Sequence, residues 1–264
     1  MMASIQATFF AKTMRRQVSF NAFIPKEELE IPGLPPVSRP PMKTIYLLHG
    51  FSGVCSDWAY GARLQELSMR HNIAVVMPSG ENSFYLDDED KGELFGEYVG
   101  RELVEFTRSL FGLSPSLEDT YIGGLSMGGF GAIRNGLKYH RTFGGIVALS
   151  SALIAKEVST MRPGYENAIA KYEYYRRVFG EPERLLGSDK DPEALVRKIE
   201  LDGADFPRIY MACGTEDFLL KENRAFHDFL ASRGVAHDYR EGPGQHDMDF
   251  WARHIATAME WMRS

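Results

Sequence analysis

Thr120-Tyr-Ile-Gly-Gly-Leu-Ser126-Met-Gly-Gly-Phe-Gly-Ala132 runs from a β-rich apolar triplet into small residues, with one serine between them. The triplet predicts a buried strand and the small residues a helix that packs tightly on a sheet. Gly124-Leu125-Ser126-Met127-Gly128 matches G-x-S-x-G. A strand that turns sharply into a helix crowds the backbone two residues before and two after the apex, and glycine at both places relieves the clash. Gly129, Gly131 and Ala132 then keep the helix slim. The alternative is a glycine-rich turn whose serine only caps the helix.

On both sides of this stretch, short apolar runs alternate with helical patterns. The runs are Thr44–Leu48, Ile73–Met77, Thr120–Ile122, Ile146–Leu149 and Ile209–Cys213. Helices are expected over about Trp58–His71, Glu97–Phe111, Met127–Tyr139, Leu219–Ser232 and Phe250–Met262. This alternation predicts an α/β fold with a mostly parallel central sheet of about eight strands flanked by helices. Ile5, Ala7 and Phe9 alternate like an edge strand, and Gln17–Pro25 like a second strand. Pro32–Pro41, IPGLPPVSRP, reads as a linker. The stretch 152–206 is charged and tyrosine-bearing and breaks the alternation. It reads as a helical, cap-like insertion in one domain spanning 1–264, with Asp191-Pro192 opening a helix.

Folds of this kind place their sites beyond the carboxyl ends of the strands. The run ending at Leu48 leads into His49-Gly50-Phe51-Ser52-Gly53, a loop that lets a backbone N–H approach a substrate. The amides of Phe51 (or its immediate neighbour) and Met127 are the expected oxyanion donors. A serine hydroxyl needs a base, and the base needs an orienting carboxylate. Of the histidines after Ser126, His227 sits mid-helix, His237 at a strand start and His254 inside the last helix. His246, in Gly242-Pro-Gly-Gln-His246-Asp247, lies in a loop between strand and helix, where a base belongs. The run ending at Cys213 leads into Gly214-Thr-Glu-Asp217, so Asp217 is the expected acid and Glu216 its main rival. Asp202 and Asp205 precede that strand, and Asp247 and Asp249 lie too close to His246 along the chain. Trp58 and Tyr85 follow strand ends and are candidates either for the pocket lining or for simple packing. The cluster Asp87–Asp90 reads as a solvated turn in preference to a cation site.

The 264 residues are 44% hydrophobic and 25% charged with formal net charge −6, which excludes disorder and coiled coil. Without a basic run, nucleic acid and anionic membranes are poor partners. No stretch reaches the roughly 18 apolar residues of a membrane span, and the N-terminal apolar segment precedes its basic residues, unlike a secretory signal. A cytoplasmic location is the expectation. Cys55 and Cys213 form neither a disulfide framework nor a metal-ligand spacing, and no metal site is expected. The composition leaves homo-oligomerisation open.

Leu47-Leu-His-Gly50 with Trp58, Gly123-Gly-Leu-Ser-Met-Gly-Gly129, Gly214-Thr-Glu-Asp217 and Gly244-Gln-His246 together resemble the esterase D superfamily of α/β-hydrolases. The chain is most similar to bacterial tributyrin esterases, themselves similar to acetyl-xylan and cinnamoyl esterases, over about residues 4–262. The resemblance implies hydrolysis of small short-chain acyl esters without a cofactor, with Ser126, Asp217 and His246 as the triad. Relatives often carry a tryptophan soon after the histidine, whereas here Trp251 comes later. S-formylglutathione hydrolases, a sister branch, also have a cysteine near the loop that here holds Cys55. A thioesterase or acyltransferase with the same triad, a peptidase and a catalytically silent binding protein are the competing readings.

Overall fold

The computed structural model describes residues 2–25 and 42–264. The expected Pro32–Pro41 linker lies outside these residues. Eight strands form one sheet: β1 (Met2–Ala11), β2 (Arg16–Pro25), β3 (Thr44–Leu48), β4 (Ala74–Pro78), β5 (Thr120–Leu125), β6 (Gly145–Leu149), β7 (Arg208–Gly214) and β8 (Asp238–Gly242). Their order is β1-β2-β4-β3-β5-β6-β7-β8. β1 pairs antiparallel with β2, and β2 antiparallel with β4. From β4 to β8 every pairing is parallel. β1 is the edge strand that its alternation predicts.

The runs are continuously apolar because helices cover both faces of the sheet. Along β3, Tyr46 and Leu48 point into one core and Ile45 and Leu47 into the other. Ile146 and Ala148 on β6 divide from Val147 and Leu149 in the same way. Period-two alternation is invisible where both sides are oil.

The expected Trp58–His71 helix is two helices, α1 (Asp57–Gly61) and α2 (Leu64–His71), because Arg63 between them takes a left-handed φ of 49°. The expected Glu97–Phe111 helix is likewise composite. An α-turn (Phe95–Glu97) and a π-turn (Tyr98–Glu102) lead into α3 (Leu103–Phe111). α4 (Met127–Lys138) follows β5. Between β6 and β7, the 152–206 stretch holds α5 (Ala155–Thr160), α6 (Tyr172–Phe179), α7 (Pro182–Leu185) and α8 (Pro192–Leu201). Asp191 caps α8, its carboxylate accepting from the Glu193 amide at 3.0 Å ahead of Pro192. α9 (Leu220–Ser232) and α10 (Met248–Trp261) flank β8.

Asp87 is not the solvated residue its acidic surroundings suggest. It opens a short hairpin (Asp87–Asp88 with Glu93–Leu94) and lies beside the buried Arg134 and the half-buried Lys138 of α4, at 3.8 and 3.4 Å. Asp189, from the loop ahead of α8, meets the same two cations at 2.6 and 2.8 Å. A buried guanidinium needs such partners, so this network ties the segment between β6 and β7 to the helix that follows Ser126.

Candidate active site

Ser126 stands between the last residue of β5 and the first of α4, at φ 55° and ψ −118°. A non-glycine residue in this region costs about 1–3 kcal/mol and persists only where its surroundings enforce it. Here the Ser126 amide donates to the Leu149 carbonyl at 2.9 Å, and its own carbonyl accepts from Phe130 and Ala152. The two glycines flanking the turn are there for close approach. A Cβ at Gly124 would collide with the Gly128 carbonyl, and one at Gly128 with the carbonyls of Leu48 and His49. The Ser126 side chain makes no capping hydrogen bond to α4, which removes the reading of Ser126 as a helix cap.

Asp217 and His246 come together as the sequence predicts. Both carboxylate oxygens of Asp217 lie within 3.0 Å of His246 Nδ1. This fixes the imidazole with its proton on Nδ1 and leaves Nε2 with its lone pair. Burial opposes ionisation of Asp217, but hydrogen bonds from His246, the Leu219 amide and the Ser150 hydroxyl outweigh it and hold the carboxyl below its usual range. Glu216, the rival acid, faces elsewhere: its carboxylate accepts from the Gly244 amide at 2.6 Å and pins the loop that carries His246.

Trp251, Ser150 and Phe218 surround this pair. Trp251, in the first turn of α10, stands edge-on to the His246 ring with centroids 4.9 Å apart, and its indole N–H donates to Ser150 Oγ at 3.0 Å. Ser150 itself follows β6, next to the Leu149 carbonyl that holds Ser126. The Phe218 ring packs on His246 from another side, at 4.5 Å.

The loop after β3 is held carbonyl by carbonyl. Trp58 Nε1 donates to the Leu48 carbonyl at 2.9 Å, and the Tyr85 hydroxyl donates to the His49 carbonyl at 3.1 Å. His49 Nδ1 donates to the Gly50 carbonyl at 2.7 Å, while Nε2 accepts from the Gly80 amide at 2.8 Å. The Gly50 carbonyl and the Phe51 N–H belong to one planar peptide, so holding the first aims the second. Among the described residues neither the Phe51 nor the Met127 amide donates to a protein acceptor. A Cβ at Gly50 would lie 3.5 Å from Ser126 Cβ, which sets this loop directly beside the serine.

Trp58 and Tyr85 therefore do not line the pocket in this structure. They are 1% and 0% exposed and hold up the loop from beneath. Both carry an apolar body with a polar tip, and that tip finds a backbone carbonyl. The Tyr85 ring passes where a side chain on residue 131 would sit, which accounts for Gly131 in α4.

Burial holds the His49 imidazole below its ordinary pKa of 6.5, so the loop needs the neutral ring. The folded chain resists a proton that the unfolded chain accepts. This stabilisation is present above about pH 6.5 and lost as pH falls toward the lower folded value. Urea midpoints at about pH 7.5 and about pH 5.5 are expected to drop less on acidification for His49→Gln than for the wild type. An equal drop in both proteins would contradict this role. His71 and His254 are also shifted downward by burial, but they act alike in both proteins.

Burial raises the Cys55 thiol and pushes that of Cys213 up to about 12, so neither competes with Ser126 as a thiolate near neutrality. Among the described residues no group of three or more His, Cys, Asp or Glu side chains could hold a metal ion. No helix there is long and apolar enough to cross a membrane.

The chain matches the esterase family described as "Putative esterase" over residues 13–262. An acetyl esterase of Caldicellulosiruptor saccharolyticus is 52% identical over 261 residues, 99% of this chain and 98% of that protein. Among solved structures, the substrate-bound fluorophosphonate-binding serine hydrolase FphF of Staphylococcus aureus aligns with a TM-score of 0.87 at 26% identity, covering 100% of this chain and 99% of that one. The apoenzyme of the S-formylglutathione hydrolase FrmB, from the same organism, aligns with a TM-score of 0.85 at 25% identity, covering 100% of both chains. With nearly its whole length inside the family match and serine hydrolases as structural neighbours, the chain belongs to this esterase family, an esterase D-like α/β-hydrolase that acts on carboxylic ester bonds.

Proposed function

We propose that the protein is a serine carboxylesterase for short-chain acyl esters of the acetyl and tributyrin type, working through Ser126, His246 and Asp217. The observation that carries the reading is the Asp217–His246 pair, at the same sheet edge as a strained serine whose hydroxyl is not spent on its helix. Ser126 attacks the ester carbonyl while His246 Nε2 takes its proton. The amides of Phe51 and Met127 hold the tetrahedral oxyanion, the second from the positive end of α4. His246 returns the proton to the departing alcohol, leaving an acyl-serine. Water, deprotonated by the same histidine, then releases the acid and restores the hydroxyl. Asp217 holds the tautomer and stabilises the imidazolium. No cofactor enters these steps, and the partner is a small-molecule ester.

Two findings support a small acyl group. The half-identical relative is an acetyl esterase. The Phe51 ring, beside the oxyanion site, is braced edge-on by Tyr174 of α6 at 5.6 Å, and Tyr174 is itself tied to the Asn82 carbonyl at 2.7 Å. The inserted helices thus supply a wall of the site. The similarity to an S-formylglutathione hydrolase favours one second reading, a thioesterase with the same machinery. Turnover of p-nitrophenyl esters from acetate to decanoate, with S-formylglutathione alongside, separates the two. The expected result is a maximum at about two to four acyl carbons, with S-formylglutathione the poorer substrate. A higher kcat/KM for S-formylglutathione than for any ester would move the assignment to the thioesterase.

A further inference from the structure

Phe218 follows Asp217 directly and is 70% exposed, although its ring packs 4.5 Å from that of His246. Its backbone is not loose. The Asp217 amide donates to the Gly214 carbonyl, the Leu219 amide to Asp217 Oδ1 at 2.8 Å, and the Leu220 amide to the Asp217 carbonyl. A large apolar ring is thus held in the open by its neighbours, against the tendency of apolar surface to leave water. Trp251, 8% exposed, already covers another side of the histidine, so shielding the imidazole does not require a second, exposed ring.

Position decides what Phe218 meets. In the acyl-transfer step the group beyond His246 Nε2 is the leaving alcohol, because that nitrogen hands it the proton. The oxyanion points instead to the amides of Phe51 and Met127. We infer that Phe218 is a specificity-determining residue for the alcohol half of the ester, selecting alcohols that present a flat apolar face to its ring. An aryl group and the C–H face of a pyranose ring both offer that face. The inference rests on the esterase reading above and adds the side of the site on which the alcohol is chosen.

The test compares acetates whose alcohols differ in shape but not in bond type: ethyl acetate, 2-phenylethyl acetate and an acetylated methyl pyranoside. Ethyl butyrate reports on the acyl side. In Phe218→Ala the preference for the flat-faced acetates over ethyl acetate is expected to fall about tenfold, mainly through KM. Phe218→Trp is expected to keep it, and the butyrate-to-acetate ratio is expected to hold in both variants. The arm with the larger fall, phenylethyl or pyranoside, identifies the natural alcohol's chemistry. An alcohol preference within about twofold of wild type in Phe218→Ala would overturn the inference, as would an acyl ratio that moves as far as the alcohol ratio. Wild-type turnover that survives Ser126→Ala would instead overturn the esterase chemistry beneath it.

Discussion

Ser126→Ala is expected to lower kcat for p-nitrophenyl acetate by about four to six orders of magnitude, with the fold intact. The size follows from the role: without the hydroxyl no acyl-enzyme forms, and only the oxyanion donors and substrate binding remain. The fold survives because Ser126 is held through its backbone, by Leu149, Phe130 and Ala152, and its side chain caps nothing. Alanine meets the same backbone strain at φ 55° as serine does. Kinetics together with a urea midpoint close to wild type would bear this out. Loss of activity through unfolding, or retained turnover, would not.

Asp217→Asn is expected to cost about 10,000-fold in kcat with little change in KM. Asparagine keeps an acceptor for the Leu219 amide, now 2.8 Å from Oδ1, so the turn after β7 should persist. Its amide nitrogen, however, would face His246 Nδ1, where both Asp217 oxygens now sit within 3.0 Å. A donor there favours the tautomer with the proton on Nε2, which can no longer accept from serine. Steady-state kinetics on the acetyl ester checks the expectation, and a loss of less than about tenfold would show that the carboxylate does not set the tautomer.

The sheet was legible because strands buried on both faces print as unbroken apolar runs, and Thr44–Leu48 coincides with β3 to the residue. The helices were legible in place but not in continuity. Gly61, the last residue of α1, is the one helix-weakening residue between Trp58 and His71, and it does not by itself mark the left-handed turn two residues on at Arg63. The candidate site followed from one rule, that loops after strand ends carry chemistry. It brought Asp217 to His246 and set Ser126 at the carboxyl end of a strand in the same parallel array. The same rule misplaced Trp58 and Tyr85, which also follow strand ends. Their partners are backbone carbonyls, and a sequence does not display where a carbonyl points. Phe218 and Ser150 went unread for a related reason: their significance lies in contacts with His246 and Trp251, far along the chain. Asp87 looked solvated because its acidic neighbours are adjacent, while Lys138 and Arg134, which pair with it, are not.

In the proposed mechanism Ser126 is the nucleophile and His246 activates it. Treatment with a fluorophosphonate followed by peptide mapping tests it most directly, because the reagent phosphonylates an activated serine and ignores ordinary hydroxyls. One adduct per chain is expected, on the peptide bearing Ser126, absent in Ser126→Ala and strongly slowed in His246→Ala. No adduct on the folded wild-type protein, or an adduct on another serine that persists in Ser126→Ala, would contradict it.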